Sequence, residues 1–202
     1  VAWFVLNTTN SPFMVGLVLG LRMVPNALFG IPAGVVADIV SRPRLIAFLS
    51  AAMAIPTTAL GLLIMADVAE LWQVIVLTFV LSTLQVFDST ARASFVYDIV
   101  GKTTAIQGLA TMSLTGRIGK VVGALAVGFI IASQGQAAAF FVASAFFALT
   151  AVTMTGVRSR GQAAPVARVS ARRAIGEFAG ELRTNRVLLT LVATTGAVEI
   201  LG

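Results

Sequence analysis

The sequence predicts an all-α integral membrane protein, and three observations carry the prediction. Runs of membrane-span length recur almost without charge, 58% of the 202 residues are hydrophobic with a mean hydropathy of +0.97, and lysine and arginine concentrate in alternate loops. About 20 apolar residues cross a bilayer as a helix, because only a helix or a closed barrel satisfies its own backbone hydrogen bonds there. Barrel strands alternate apolar and polar positions over about 10 residues, whereas these runs are continuous for longer. A soluble domain of this length would give its helices a polar face, so the hydropathy reflects contact with lipid.

The runs follow one another in order. Phe13 to Ala37 holds one charge, Arg22, and ends in Gly34-Val-Val-Ala-Asp38. Leu45 to Ala66 and Leu71 to Phe87 hold none, Thr104 to Gln134 holds Arg117 and Lys120, and Gln136 to Val157 holds none. Val1 to Leu6 reads as the outer end of a first helix that begins inside, and Val187 to Gly202 as the opening of a seventh span. The chain is therefore expected to be a fragment with six crossings and the start of a second set. Its beginning lacks the basic region and small-residue cleavage site of a secretory signal.

Orientation follows from charge, because short cytoplasmic loops hold the excess of positive residues. Arg42 and Arg44 follow the Phe13 run, Arg92 and Lys102 follow the Leu71 run, and seven arginines lie between Arg158 and Arg186. The intervening loops, Asn7 to Pro12, Asp67 to Glu70 and Ser133 to Gln136, contain no lysine or arginine. The same rule explains the sequence pI near 11.3. The basic residues flank spans and show no aromatic interleaving, so nucleic acid is not an expected partner. Cysteine and histidine are absent, which removes disulfides, thiol nucleophiles, zinc sites of the usual kind and histidine proton relays from this stretch. No cofactor or metal is expected, and an intramembrane enzyme is disfavoured for want of a nucleophile and base.

Charges inside spans mark candidate sites, since an ionised side chain in hydrocarbon is costly unless it faces a cavity or a partner. Arg22 lies near the middle of its run, with Asn26, Gly30, Ala33 and Ala37 at helical spacing. Arg117 and Lys120 share a face with Ser113 and Ala124, Gln85 lies in the fourth crossing, and Glu199 lies in the seventh. Each cation has two readings: pairing with a carboxylate on a neighbouring helix, or lining an aqueous central cavity of positive potential suited to anionic or polar groups. Small-residue pairs four apart, Gly16 and Gly20, Gly30 and Gly34, Gly119 and Gly123, predict close helix packing. Gly123, Gly128, Pro25 and Pro32 supply points where helices can bend or slide.

The hinge Gly34-Val-Val-Ala-Asp38-Ile39-Val-Ser41-Arg42-Pro43-Arg44 resembles the signature of the major facilitator superfamily, roughly Gly-x-x-x-Asp-Arg-x-Gly-Arg-Arg or Lys. Glycine, aspartate and the downstream arginine match, with Ile39 for the first arginine and Ser41 for the second glycine. Phe87-Asp88-Ser-Thr90-Ala91-Arg92-Ala93 is similar to the Phe-Asp-x-Pro-Ala-Arg-Gln segment of the branch containing enterobactin exporters and related drug efflux proteins. Lys120-Val-Val-Gly123-Ala124-Leu-Ala-Val-Gly128 is similar to that branch's Arg-x-x-Gly-Pro-x-x-x-Gly stretch.

The resemblance implies a twelve-helix fold of two six-helix halves. Residues 1–157 are then the N-terminal bundle, residues 158–186 a central cytoplasmic segment, and residues 187–202 the start of the C-terminal bundle. Within the segment, Ile175, Phe178 and Leu182 share one helical face of Ser170 to Leu182, which suits a helix lying on the inner leaflet. The resemblance also implies cytoplasmic gate residues Gly34, Asp38, Arg42, Arg44, Asp88 and Arg92. In it Arg42 pairs with an acid at the inner end of the fourth helix, matched here by Asp88, while Asp38 meets a helix start in the opposite half. The expected function is export of small organic molecules, drug-like or siderophore-type, by alternating access in the cytoplasmic membrane. Protons are the expected coupling ion, with Glu199 as carrier through a raised carboxyl pKa. Expected partners are the bilayer, a small-molecule substrate and the C-terminal half of the same chain. A solute importer of the same fold and a non-transporting scaffold or receptor are the alternatives.

Overall fold

The computed structural model describes residues 5–6, 9–101 and 103–157. The helix expected over Ser170 to Leu182, the seventh span with Glu199, the arginines from Arg158 onward and Lys102 lie outside the described residues, as does most of Val1 to Leu6.

Among the described residues six helices of ten residues or more succeed one another: α1 (Pro12–Leu21), α2 (Val24–Ile39), α3 (Arg42–Met65), α4 (Leu71–Val100), α5 (Ala105–Gln134) and α6 (Gln136–Thr155). Five segments among the described residues are long and apolar enough to cross a membrane: Pro12–Ile39, Arg42–Met65, Leu71–Val100, Ala105–Gln134 and Gln136–Thr155. These are the five long runs read from the sequence.

Two boundaries differ from expectation. The Phe13 run is not one helix: it breaks at Arg22 and Met23, between α1 and α2. The cause is Pro25, which has no N–H for the carbonyl of Leu21 and whose ring crowds that carbonyl, so the helix yields one turn earlier. Arg22 and Met23 instead donate to the Leu19 and Gly20 carbonyls at 3.2 and 3.0 Å. The fourth crossing also runs past Phe87 to Val100, which places Arg92 inside α4 and not in a loop.

Chain reversals are short. Gly135 alone separates α5 from α6, with φ of +85°, a left-handed conformation that favours glycine. At the start of α4 the Glu70 N–H donates to the Gln73 side-chain oxygen at 2.9 Å, satisfying one of the helix-end donors.

The core lies between α3, α4, α2 and α6. α3 packs most extensively on α6, and α4 packs on both α3 and α2. An added Cβ on Gly61 of α3 would lie 3.0 Å from Phe141 Cε1 on α6. Beside it the Thr58 and Ser144 hydroxyls lie 2.6 Å apart, and Ser144 also donates to the Ala54 carbonyl at 3.1 Å. With no water in the bilayer interior, such bonds both hold the helices and satisfy the hydroxyls. The glycine pairs singled out from the sequence behave differently. A Cβ on Gly16, Gly20, Gly30, Gly34, Gly119, Gly123 or Gly128 would meet no atom within 4 Å among the described residues. α5 is continuous through Gly123 and Gly128 and buries only Ala105.

Candidate functional site

Two polar constellations stand out on this apolar frame. The first is a charge cluster where α2 ends, α3 begins and α4 ends. Its centre is Arg42, the first residue of α3, with a side chain only 10% exposed. One guanidinium nitrogen lies 3.5 Å from Asp38 on α2, another pairs with Asp98 on α4, and Nε donates to the Ala37 carbonyl at 3.3 Å. That carbonyl belongs to the last turn of α2, so Arg42 caps the negative end of the α2 dipole. A cation at the start of its own helix α3 is electrostatically unfavourable, and the two carboxylates offset it. Ala37 and Leu45, close to Arg42 in the chain, belong to an apolar cluster with Ile46, Leu49, Ala91 and Phe95.

The partner of Arg42 is therefore Asp98, not Asp88. Asp88 lies ten residues earlier on α4, about 15 Å further along the helix axis, too far from the end of the bundle where Arg42 sits. It pairs instead with Arg92 one turn on, Oδ2 to Nε at 2.6 Å, and its Oδ1 is buried without a hydrogen-bond partner. Asp98 was missed because it follows the recognised Phe87–Ala93 stretch by a turn and more. The signal available was helix length: Arg42 at an end of α3 needs an acid at the matching end of α4. Arg44 is exposed and makes no ion pair among the described residues, and Gly34 is half-buried two turns before Arg42.

The second constellation is an open pocket of about 270 Å³ lined by Arg22, Asn26, Ser82, Gln85, Val86 and Ser89, in which Ser82 and Val86 form a buried floor and Arg22, Asn26, Gln85 and Ser89 are exposed. Three residues predicted to line a cavity, Arg22, Asn26 and Gln85, thus meet in one place, contributed by the α1–α2 break and by α4. Ser82 is buried, its hydroxyl donating to the Thr78 carbonyl at 2.8 Å. The Phe29 and Phe87 rings, 6.3 Å apart and tilted by 41°, join α2 to α4 beside it. Arg117 and Lys120 are exposed on α5 and do not line this pocket. A larger cleft of about 560 Å³ lies between the end of α4 and the start of α5, lined by Val96, Val100, Gln107, Gly108 and Thr111 among others.

Multiple apolar crossings, a charged junction joining three of them and a polar pocket at mid-helix are what a solute carrier requires. The chain matches the family model of the Major Facilitator Superfamily over residues 1–201. It belongs to that superfamily. Comparison with curated proteins and with solved structures returns no match. Membership makes the chain a multi-pass membrane protein of a transporter family, and its all-helical fold is that of an N-terminal stretch of a major facilitator transporter. In this superfamily member the hinge residues Asp38 and Arg42 are held together, whereas Glu199, the proposed proton carrier, lies outside the described residues.

Proposed function

We propose that this chain forms the N-terminal half of a transporter that exports small organic molecules, drug-like or siderophore-type, by alternating access. The carrying observation is the Arg42 cluster, which joins three helix ends through one buried cation. Rocking of two halves about a midplane site exposes that site to one side at a time. A latch at one mouth must be strong enough to hold and weak enough to release, and a partly exposed charge pair fits that range. Asp38, whose side chain is 51% exposed, is free to meet a helix start in the opposite half, where a carboxylate gains about 0.3–1 kcal/mol from the dipole. The cluster closes the cytoplasmic mouth of the outward-facing state.

The proposed location is the cytoplasmic membrane with this mouth and the segment after Val157 on the cytoplasmic side, an orientation supported by the distribution of arginine among the loops. Protons are the proposed coupling ion and the C-terminal half of the same chain the proposed structural partner. The test is accumulation of a labelled siderophore and of cationic dyes in efflux-deficient cells expressing the full-length gene or its Asp38→Asn variant, with and without a protonophore. Lower accumulation that requires both Asp38 and the proton gradient supports a proton-driven exporter. Unchanged accumulation favours a scaffold, and raised accumulation an importer.

A further inference from the structure

The break between α1 and α2 changes what surrounds Arg22. In an unbroken helix Arg22 would be one cation on an apolar cylinder. In the structure it is the C-terminal cap of α1, and a new 16-residue helix starts two residues later at Val24. Arg22 and Met23 keep right-handed helical dihedrals and bond to carbonyls three residues back, so the break is a tightened turn ahead of Pro25.

The pocket gathers compatible chemistry around that point. Arg22 supplies a planar guanidinium, Asn26 in the first turn of α2 and Gln85 on α4 supply amide N–H donors, and Ser89 supplies a hydroxyl. Among the described residues no carboxylate lines the pocket and no acid pairs with Arg22. An arginine about midway along a span is costly in lipid, so this face borders an aqueous cavity. The volume is also informative. At about 270 Å³ the pocket falls just below the roughly 300–1,000 Å³ of sites that enclose whole drug-sized ligands. It suits one end of a substrate.

We infer that the Arg22–Asn26–Gln85 pocket is an anion subsite that binds a carboxylate group of the transported molecule. The inference rests on the transporter reading and assigns its substrate class. Guanidinium and carboxylate are complementary planar forks, so Arg22 binds through two parallel hydrogen bonds that a lysine cannot reproduce. The amides of Asn26 and Gln85 donate to the remaining lone pairs, and no covalent step is involved.

The experiment uses the purified full-length protein with benzoate and benzamide as matched anionic and neutral probes, read by calorimetry and by thermal unfolding. Benzoate is expected to bind and raise the unfolding temperature, and benzamide to do neither. Arg22→Gln abolishes benzoate binding, Arg22→Lys raises Kd by about tenfold, and Gln85→Ala raises it a few-fold. Equal binding of the two probes, or unchanged benzoate affinity in Arg22→Gln, overturns the subsite. Should Arg22→Gln fail to fold, unchanged affinity in both Asn26→Ala and Gln85→Ala overturns it equally. Dye efflux by the wild type is measured alongside. Arg22-dependent benzoate binding without efflux contradicts the exporter reading and leaves the subsite standing, whereas efflux with no Arg22-dependent binding does the reverse.

Discussion

Arg42 and Asp98 form an ion pair between the first residue of α3 and the last turn of α4, with Asp38 completing the site from α2. One side chain thereby ties together the ends of three helices, which the proposed alternating-access cycle would move as a unit against the second half. Its three carboxylate and carbonyl partners are not equivalent. The Asp38 side chain is 51% exposed, that of Asp98 23%.

Exposure ranks the cost of breaking each pair. Removing a buried partner leaves an uncompensated charge and costs about 3–5 kcal/mol, whereas exposed pairs contribute about 0–1 kcal/mol. Arg42→Gln is therefore expected to lower thermal stability most, Asp98→Asn less and Asp38→Asn least, measured by unfolding of the detergent-solubilised protein. A larger loss for Asp38→Asn than for Arg42→Gln contradicts the ranking.

Asp88 and Arg92 form a separate pair one turn apart on α4. Arg92→Leu leaves a buried carboxylate without its cation and is expected to destabilise by about 3 kcal/mol. Asp88→Leu combined with Arg92→Leu recovers most of that loss, because no unpaired charge remains. A double variant as unstable as the sum of the single ones would show that the two side chains act independently.

Two glycines give opposite expectations. Gly61→Ala places a methyl group 3.0 Å from Phe141 and 3.3 Å from Phe140, overpacking the α3–α6 seam at a cost of about 1–3 kcal/mol. Gly119→Ala meets nothing within 4 Å among the described residues and gains helix propensity of up to about 1 kcal/mol. Unfolding temperatures of the two variants against wild type decide the matter, and a Gly119→Ala loss equal to that of Gly61→Ala would refute the seam.

Pro25 creates the break that sets Arg22 beside the start of α2. Pro25→Ala restores an N–H to the Leu21 carbonyl and is expected to straighten α1 into α2, reducing transport while leaving the protein folded. Pro32→Ala, in a helix that stays continuous through Pro32, is expected to change transport much less. Equal effects of the two substitutions on dye efflux would remove the special role of Pro25.

Crossings were legible in the sequence because hydropathy is local: each of the five long apolar runs is helical, the first of them with a break at Arg22 and Met23. The association of Arg22, Asn26 and Gln85 was also legible as chemistry, since each is a polar residue inside a span. What could not be read was register between helices. Gly61 and Gly108, not the evenly spaced glycine pairs, take the close approaches, because packing depends on which helix faces which. The acid for Arg42 was misplaced for the same reason. A motif supplies residue types, whereas the pairing depends on how far along α4 the end of α3 lies.

The most direct test of gating is access to the pocket from the cytoplasmic side. The sequence contains no cysteine, so Ser89→Cys introduces a single thiol into the pocket wall in this region. Its labelling by a membrane-impermeant maleimide is followed in inside-out vesicles containing the full-length transporter, with and without Arg42→Gln. Loss of the Arg42 latch is expected to speed labelling about tenfold, the factor that corresponds to about 1.4 kcal/mol of latch energy. Identical rates in both backgrounds would contradict a cytoplasmic gate at Arg42.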